Sequence, residues 1–375
     1  MKMKCLVITP YFYPKIGGLE NYAYNISQGL KDKYAWEIVV ITSNHEEKKD
    51  REEELDGIKI YKLARWFKIS NTPINPMWYF QIKNIIKKEK PDMINAHTPV
   101  PFISDVTARV CGDIPFILTY HTGAMMLKGK LLEDLLIKFY ESSILKATLK
   151  KAKKIICSSD FVRFDFLKDY AKKTITITPG VDINRFKSKI SDFKNKILFV
   201  GGLKEAEKYK GLKYLLSAVN IIKKNIKDVK LTVVGEGDYI IYYKKLCKDL
   251  EIELNVEFKG RLIGRKLVEQ YQKSNVLVLP SLSESFGIVL LEAMACKKPV
   301  IGTEIGGISY IINHGKNGLL IPPKDPESLA EAILKILKNP ELAKKMGRNG
   351  HKNVIDKFTW SKQIKKTNDL FRDII

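Results

Sequence analysis

Short apolar runs alternate with stretches of helical periodicity along this chain, and the alternation runs twice. In the first pass, residues Lys4–Thr9 read as a strand. Residues 18–30 follow with Leu19, Tyr22, Ile26 and Leu30 on one helical face. Residues 37–42, 93–96, 115–120, Lys154–Cys157 and 174–178 are further strand candidates, most of them separated by helical stretches. The second pass begins at Lys196–Val200. Strand candidates at Lys230–Val234, 255–258, Val276–Leu279, 299–302 and Gly318–Ile321 alternate there with helices at 212–222, 239–250, 290–295 and 327–337. Alternation of this kind predicts parallel sheets covered by helices on both faces, an α/β, doubly wound class. With 375 residues the chain is long enough for two such domains. The expected organisation is residues 1–182, a polar linker at 183–195, residues 196–357, and a C-terminal helix at 358–375 that crosses back to the first domain.

Composition narrows the functional classes. No run approaches the ~20 apolar residues of a membrane span, and the N-terminal apolar run stops at Pro10, so it reads as a strand and not as a signal peptide. A cytoplasmic protein is the expectation. Five scattered cysteines without metal-ligand spacing point to free thiols in a reducing compartment. The net charge of +23 is spread evenly, with 32 basic against 21 acidic residues in 1–190 and 33 against 21 in 191–375. Such a field favours anionic partners in general: phosphates, nucleic acids or acidic membrane surfaces. No zinc spacing, helix-turn-helix cue or RNA-binding aromatic motif accompanies it, so nucleic acid is not the expected partner.

The most informative segment is 280–300, PSLSESFGIVLLEAMACKKPV. A strand ends at Leu279, a polar turn follows, and Gly287 opens a helix. The amides of Ser285, Phe286 and Gly287 then sit at the positive helix end, where they can bind anions or sugar hydroxyls. Glu284 precedes the helix and Glu292 lies on it, so the two can reach different parts of one ligand. A capped helix with a solvated Glu is the plain alternative.

The pattern P-S-x-x-E-S-F-G-x-x-x-x-E-A-M-A resembles the signature of the family-four retaining glycosyltransferases. Other segments match in order: PKIGGLE at 14–20, PDMINAH at 91–97, TYHTG at 119–123, TPGVDINRF at 178–186, FVGGLKEAEKYKGLKYL at 199–215, VGEG at 234–237 and KGRL at 259–262. The resemblance implies a GT-B fold, two facing Rossmann-like domains with a cleft between them. The first would bind the acceptor and the second the nucleotide-sugar donor. It implies Glu284 beside the donor sugar, Glu292 on the ribose diol, His121 at the donor sugar and reacting region, and Lys210 on the diphosphate as a point charge. Donor contacts are further implied for Gly17, Gly18, Gly202, Gly235, Arg261, Leu262, Ser285, Phe286 and Gly287. Gly202 stands where the family usually has Arg, Lys297 where it often has Gly, and Tyr310 where it often has Glu.

The implied reaction is retaining transfer of a hexosyl group from a UDP- or GDP-sugar to an acceptor hydroxyl in cell-surface glycan or glycolipid synthesis. No DxD pair calls for a metal, and no cofactor is implied. Another GT-B enzyme, a sugar-nucleotide epimerase or phosphorylase, is the alternative. A glycan or lipid-linked acceptor suggests contact with the inner face of the membrane. Two segments suit that role: 125–154, read as an amphipathic basic helix or a helix packed on the sheet, and 66–80, read as a membrane or acceptor loop or as buried aromatics.

Overall fold

The computed structural model describes residues 2–15, 17–69, 72–123, 131–189 and 194–375. The chain divides into two compact units, Met1–Pro179 with Trp360–Ile375, and Gly180–Thr359. In the first, β1 (Lys4–Thr9), α1 (Gly18–Tyr34) and β2 (Glu37–Asn44) are followed by a hairpin of β3 (Arg51–Leu55) and β4 (Ile58–Ala64). A small hairpin of β5 (Phe67–Ile69) and β6 (Thr72–Ile74) leads into α2 (Trp78–Glu89), β7 (Met93–Thr98), α3 (Ile103–Val110) and β8 (Phe116–Tyr120). Then come α4 (Leu131–Phe139), α5 (Lys146–Lys151), β9 (Lys154–Cys157) and β10 (Thr174–Thr176). The second unit runs β11 (Lys196–Val200), α6 (Leu212–Lys223), β12 (Lys230–Val234), α7 (Ile240–Asp249), β13 (Val256–Phe258), α8 (Gly264–Lys273) and β14 (Val276–Leu279). It continues with α9 (Ile288–Ala295), β15 (Val300–Thr303), α10 (Ile308–Ile311), β16 (Gly318–Ile321), α11 (Pro326–Lys338) and α12 (Pro340–Lys357), and α13 (Trp360–Arg372) closes the chain.

The first sheet has the order β10-β9-β8-β7-β1-β2-β4-β3, parallel except for β3 on β4. The second is all parallel, β13-β12-β11-β14-β15-β16. Strand residues alternate between two buried layers. Leu6 and Ile8 pack on one face of the first sheet, Cys5 and Val7 on the other. Ile197 and Phe199 take one face of the second and Leu198 the other. Burial on both faces is why these strands read as continuous apolar runs. All five cysteines are buried and free.

The parallel strands of each sheet are laid down in both directions from one switch point, β1/β7 in the first and β11/β14 in the second. Loops leaving the carboxyl ends of strands diverge there and leave a crevice.

Helix α13 belongs to the first unit. Trp36 Nε1 donates to Asn368 Oδ1 at 3.0 Å, and Phe371 meets the Trp36 ring edge-on. The β3–β4 hairpin went unread in the sequence because REEEL carries too much charge for a buried strand. Its turn, Asp56-Gly57 with positive φ at both residues, is the local signal for it. Within 125–154 the described residues are helical without a break from Leu131 to Lys151, and strand β9 begins at Lys154. Among those described, α4 and α5 are joined by a π-helical turn at Tyr140–Leu145 and end at Lys151; 125–130 lie outside the described residues. Tyr140, Leu145 and Leu149 are in the core, whereas Leu135, Leu136 and Phe139 are exposed. No helix among the described residues is long and apolar enough to cross a membrane.

Candidate active site

Both crevices gather the residues singled out above, each within its own unit. In the first, Gly17 follows β1 with extended backbone and precedes α1, which starts at Gly18. The buried Glu20 carboxylate curls back against Gly17, at the positive end of α1. Burial raises its pKa, opposed by its own amide and by Lys15.

His97 is the penultimate residue of β7 and His121 follows β8. Their rings stack with centroids 5.0 Å apart, and His97 Nδ1 lies 2.8 Å from His121 Nε2. Both backbones are pinned: His121 N–H donates to Thr98 O, Ser104 Oγ to His97 O and Ser158 Oγ to His121 O. Tyr22 sets its ring edge-on to both, and its hydroxyl donates to Ile177 O. Burial pushes both imidazoles down, His121 to about 3. The pair is therefore neutral at neutral pH, with one ring donating to the bare nitrogen of the other. His97 fixes the orientation of His121 and ties its tautomer to its own.

In the second unit, the loop after β11 carries Gly201 and Gly202 and leads through a tight turn at Glu205–Lys210 into α6. Gly235, at the end of β12, has φ of +155°, and a Cβ there would collide with Gly201 O. The two loops meet because this position has no side chain. Gly235 N–H donates to Gly260 O, which brings the 259–262 segment alongside; Arg261 pairs with Glu236 at 3.1 Å, and Leu262 packs on the core.

The loop after β14 supplies the charged centre. Lys210 Nζ is 2.6 Å from Glu284 Oε2, and both side chains are largely buried. Leu282 N–H donates to Tyr209 O, and Gly307 N–H to Glu284 O, so both sides of the pair are held by main chain. Burial pulls the Lys210 ammonium down, but Glu284, Tyr209 and Glu207 outweigh it and leave the pKa raised. Gly287, with φ of +97°, precedes α9. The Phe286 ring packs edge-on to Phe358 in the core, so only main-chain atoms of Phe286 remain for a ligand. One turn into α9, Glu292 accepts the Tyr271 hydroxyl at 2.5 Å. Burial lifts its pKa to about 7, against the pull of Tyr271 and Arg185. Asp182 caps the turn that carries Arg185, accepting from Asn184 and Arg185 N–H.

Three partners were not foreseen: Tyr22 and the pairing of the two histidines, Tyr271 on Glu292, and Glu207. The Glu207 carboxylate covers Gly202 and accepts Lys204 N–H. Nothing in local spacing announces these contacts. Lys297 holds a left-handed backbone with φ of +57°, a conformation that glycine adopts at less cost.

A family model described as Glycosyltransferase Family 4 matches residues 16–185, and one described as Glycosyl transferases group 1 matches residues 181–353. An uncharacterised glycosyltransferase of Methanocaldococcus jannaschii is 31% identical over 99% of both chains. The chain belongs to the group 1 glycosyltransferases. This glycosyltransferase is also 32% identical to the D-rhamnosyltransferase WbpZ of Pseudomonas aeruginosa, over 72% of this chain and 70% of that one. It is 28% identical to the O-antigen chain mannosyltransferase C of Escherichia coli, over 100% and 99%. Sucrose-phosphate synthase from Thermosynechococcus elongatus superposes with a TM-score of 0.81 at 22% identity, over 99% of both chains. Anabaena HepE in complex with UDP-glucose gives 0.75 at 18%, over 99% and 100%. These structures establish the fold as GT-B, built from two Rossmann-like domains.

Proposed function

We propose that this glycosyltransferase moves a hexosyl group from a UDP- or GDP-sugar to a hydroxyl of a glycan or lipid-linked acceptor, with retention at the anomeric carbon, at the cytoplasmic face of a membrane. The observation that carries this reading is the buried Lys210–Glu284 pair at the switch point of the second sheet. Leaving-group departure puts negative charge on a diphosphate and positive character on the sugar ring. Lys210 supplies fixed positive charge for the first, and Glu284 a carboxylate for the second. Glu292, eight residues on, has the two acceptor oxygens a ribose diol needs. No side chain serves as covalent nucleophile in this scheme; the departing phosphate takes the acceptor proton on the same face. With Lys210 supplying the charge, transfer needs neither a metal ion nor a cofactor, and nucleic acid has no role. The name of the O-antigen chain mannosyltransferase relative supports a glycan acceptor, and the UDP-glucose complex of HepE supports a sugar-nucleotide donor.

Thermal stability with a panel of nucleotide sugars, with and without chelator, tests the reading. Binding to the folded state at a hundredfold excess over Kd adds about 2.7 kcal/mol of apparent stability. A shift with one diphosphate sugar, unchanged by chelator, is the expected result. No shift with any sugar nucleotide, confirmed by calorimetry, would overturn it.

Glu207 makes a second expectation. Its carboxylate lies against Gly202 and acts on Lys210, so it repels a diphosphate bound there. Glu207→Gln is expected to tighten UDP binding by about threefold to tenfold, an effect that shrinks as salt is raised. Titration calorimetry at two salt concentrations measures it.

A further inference from the structure

Six large apolar side chains stand exposed within one short stretch of the first unit: Trp66, Phe67, Ile69, Met77, Tyr79 and Phe80, with Phe80 58% and Trp66 55% accessible. They are carried by the β5–β6 hairpin and the start of α2. Their scaffold is rigid. Trp78 is fully buried, and its Nε1 donates to Ala64 O at 3.0 Å. Asn75 Nδ2 donates to the same carbonyl at 2.7 Å, while Asn75 Oδ1 accepts Met77 N–H at 2.9 Å. Trp66 N–H donates to Ile74 O at 3.0 Å. The display is therefore built by internal bonding and is not a frayed loop. Six exposed large apolar side chains within fifteen residues are unusual on a soluble surface and mark a contact site.

Charge selects the occupant. Residues 57–88 contain seven Lys or Arg and no Asp or Glu. Lys59, Lys62 and Lys88 pair with Glu52, Glu53 or Glu89. Lys68, Lys83 and Lys87 are exposed and make no ion pair among the described residues. Lys83 and Lys87 follow Tyr79 at four-residue steps, so a basic stripe continues from the aromatic end of the helix. The nearby carboxylate, Asp50, accepts from Ala64 N–H and Gln81 Nε2. A second copy of the chain would bring identical lysines against these. Trp and Tyr, with one apolar end and one polar end, rimmed by unpaired lysines, match the headgroup boundary of an anionic bilayer.

We propose that this face docks the protein on an anionic lipid bilayer. The inference deepens the membrane-acceptor reading, but its test needs no sugar nucleotide, so the two can fail separately. Trp36 and Trp78 are buried and Trp360 is half-buried, which leaves Trp66 as the exposed fluorophore among four tryptophans. The full chain is titrated with vesicles of phosphatidylcholine alone, or with added phosphatidylglycerol, by co-sedimentation and tryptophan emission. Expected are a blue shift and sedimentation with the anionic vesicles, weakened by salt. Replacing Trp66, Phe67 and Phe80 together by Ser is expected to cut partitioning by about tenfold or more. The double variant Lys83→Glu, Lys87→Glu should lose the anionic preference. Both variants should keep the wild-type far-ultraviolet circular dichroism and a cooperative thermal melt, which report an intact fold. Three results would overturn the proposal: no wild-type binding at low salt, undiminished binding by the triple variant, or a wild-type dimer that the triple substitution dissociates while vesicles stay unbound.

Discussion

Replacing Lys210 by Met is expected to lower kcat by about 100- to 1,000-fold, the usual cost of removing one preorganised charge from a developing anion. The same change leaves Glu284 buried without its partner, so the apo-protein should lose about 3–5 kcal/mol of stability. Those two consequences are separable. In the double variant Lys210→Met, Glu284→Gln the unpaired charge is gone, and stability should return most of the way. Activity should not return, because neither the diphosphate nor the sugar recovers its charged neighbour. The single variants and the double variant form a cycle whose coupling in stability is large, since the side chains touch at 2.6 Å. Urea unfolding and single-turnover transfer, measured on the same four proteins, check both parts. If Lys210→Met kept wild-type turnover, the assignment of this pair to the reaction would fail, whatever its stability.

Glu292 carries the second large effect, and here the sign depends on pH. Its folded pKa of about 7 exceeds the ordinary 4.5 because burial penalises the carboxylate. Between those values the unfolded chain has released a proton that the folded chain still holds. Raising pH through that window therefore costs stability, on the order of 3–4 kcal/mol in total, and the contribution is fully favourable only below it. Glu292→Gln removes the titration and keeps an oxygen for the Tyr271 hydroxyl. The variant should be more stable than wild type at pH 8 and close to it at pH 5. Binding should move the opposite way. An ionised carboxylate accepts both ribose hydroxyls, and charged hydrogen bonds are worth about 1.5–3 kcal/mol. Wild-type affinity for a sugar nucleotide, whose diphosphate diester does not titrate near neutrality, should rise with pH through about 7. The Gln variant should bind about tenfold or more weakly at pH 8, with a flat profile. Calorimetric titration and thermal melts at pH 5, 7 and 8 decide the matter. A Gln variant that binds with the wild-type pH profile would remove Glu292 from the ribose.

Much of this fold was legible before the structure because burial writes itself locally. Runs such as KCLVIT, KILFV and VLVL are apolar at every position because both faces of a parallel sheet are covered. Helix α6 shows its buried face at Leu212, Leu215, Leu216 and Val219. Strand β3 escaped because it sits at the sheet edge and pairs on one side only, where charge is tolerated. The stretch 66–80 read equally as a buried cluster or an exposed loop, and it is both: Trp78 faces inward while its neighbours face out. Periodicity alone could not say so, since a tryptophan has the same letter whether its Nε1 finds Ala64 O or water.

By itself, then, the sequence determined two α/β units and where their strands end, and it placed glycines, Glu284, Glu292, Lys210 and His121 at those ends. These follow from spacing along one element, which is a local property of the chain. The tertiary structure decided the partners. Lys210 and Glu284 lie 74 residues apart, Tyr271 and Glu292 21, and His97 and His121 24, and each pair meets only because strand order sets their loops or helices side by side. It also set α13 on α1 in the first unit, through Trp36 and Asn368, 332 residues apart. Protonation followed from the same placement, because the desolvation that lifts Glu292 and suppresses the histidines is supplied by residues remote in sequence.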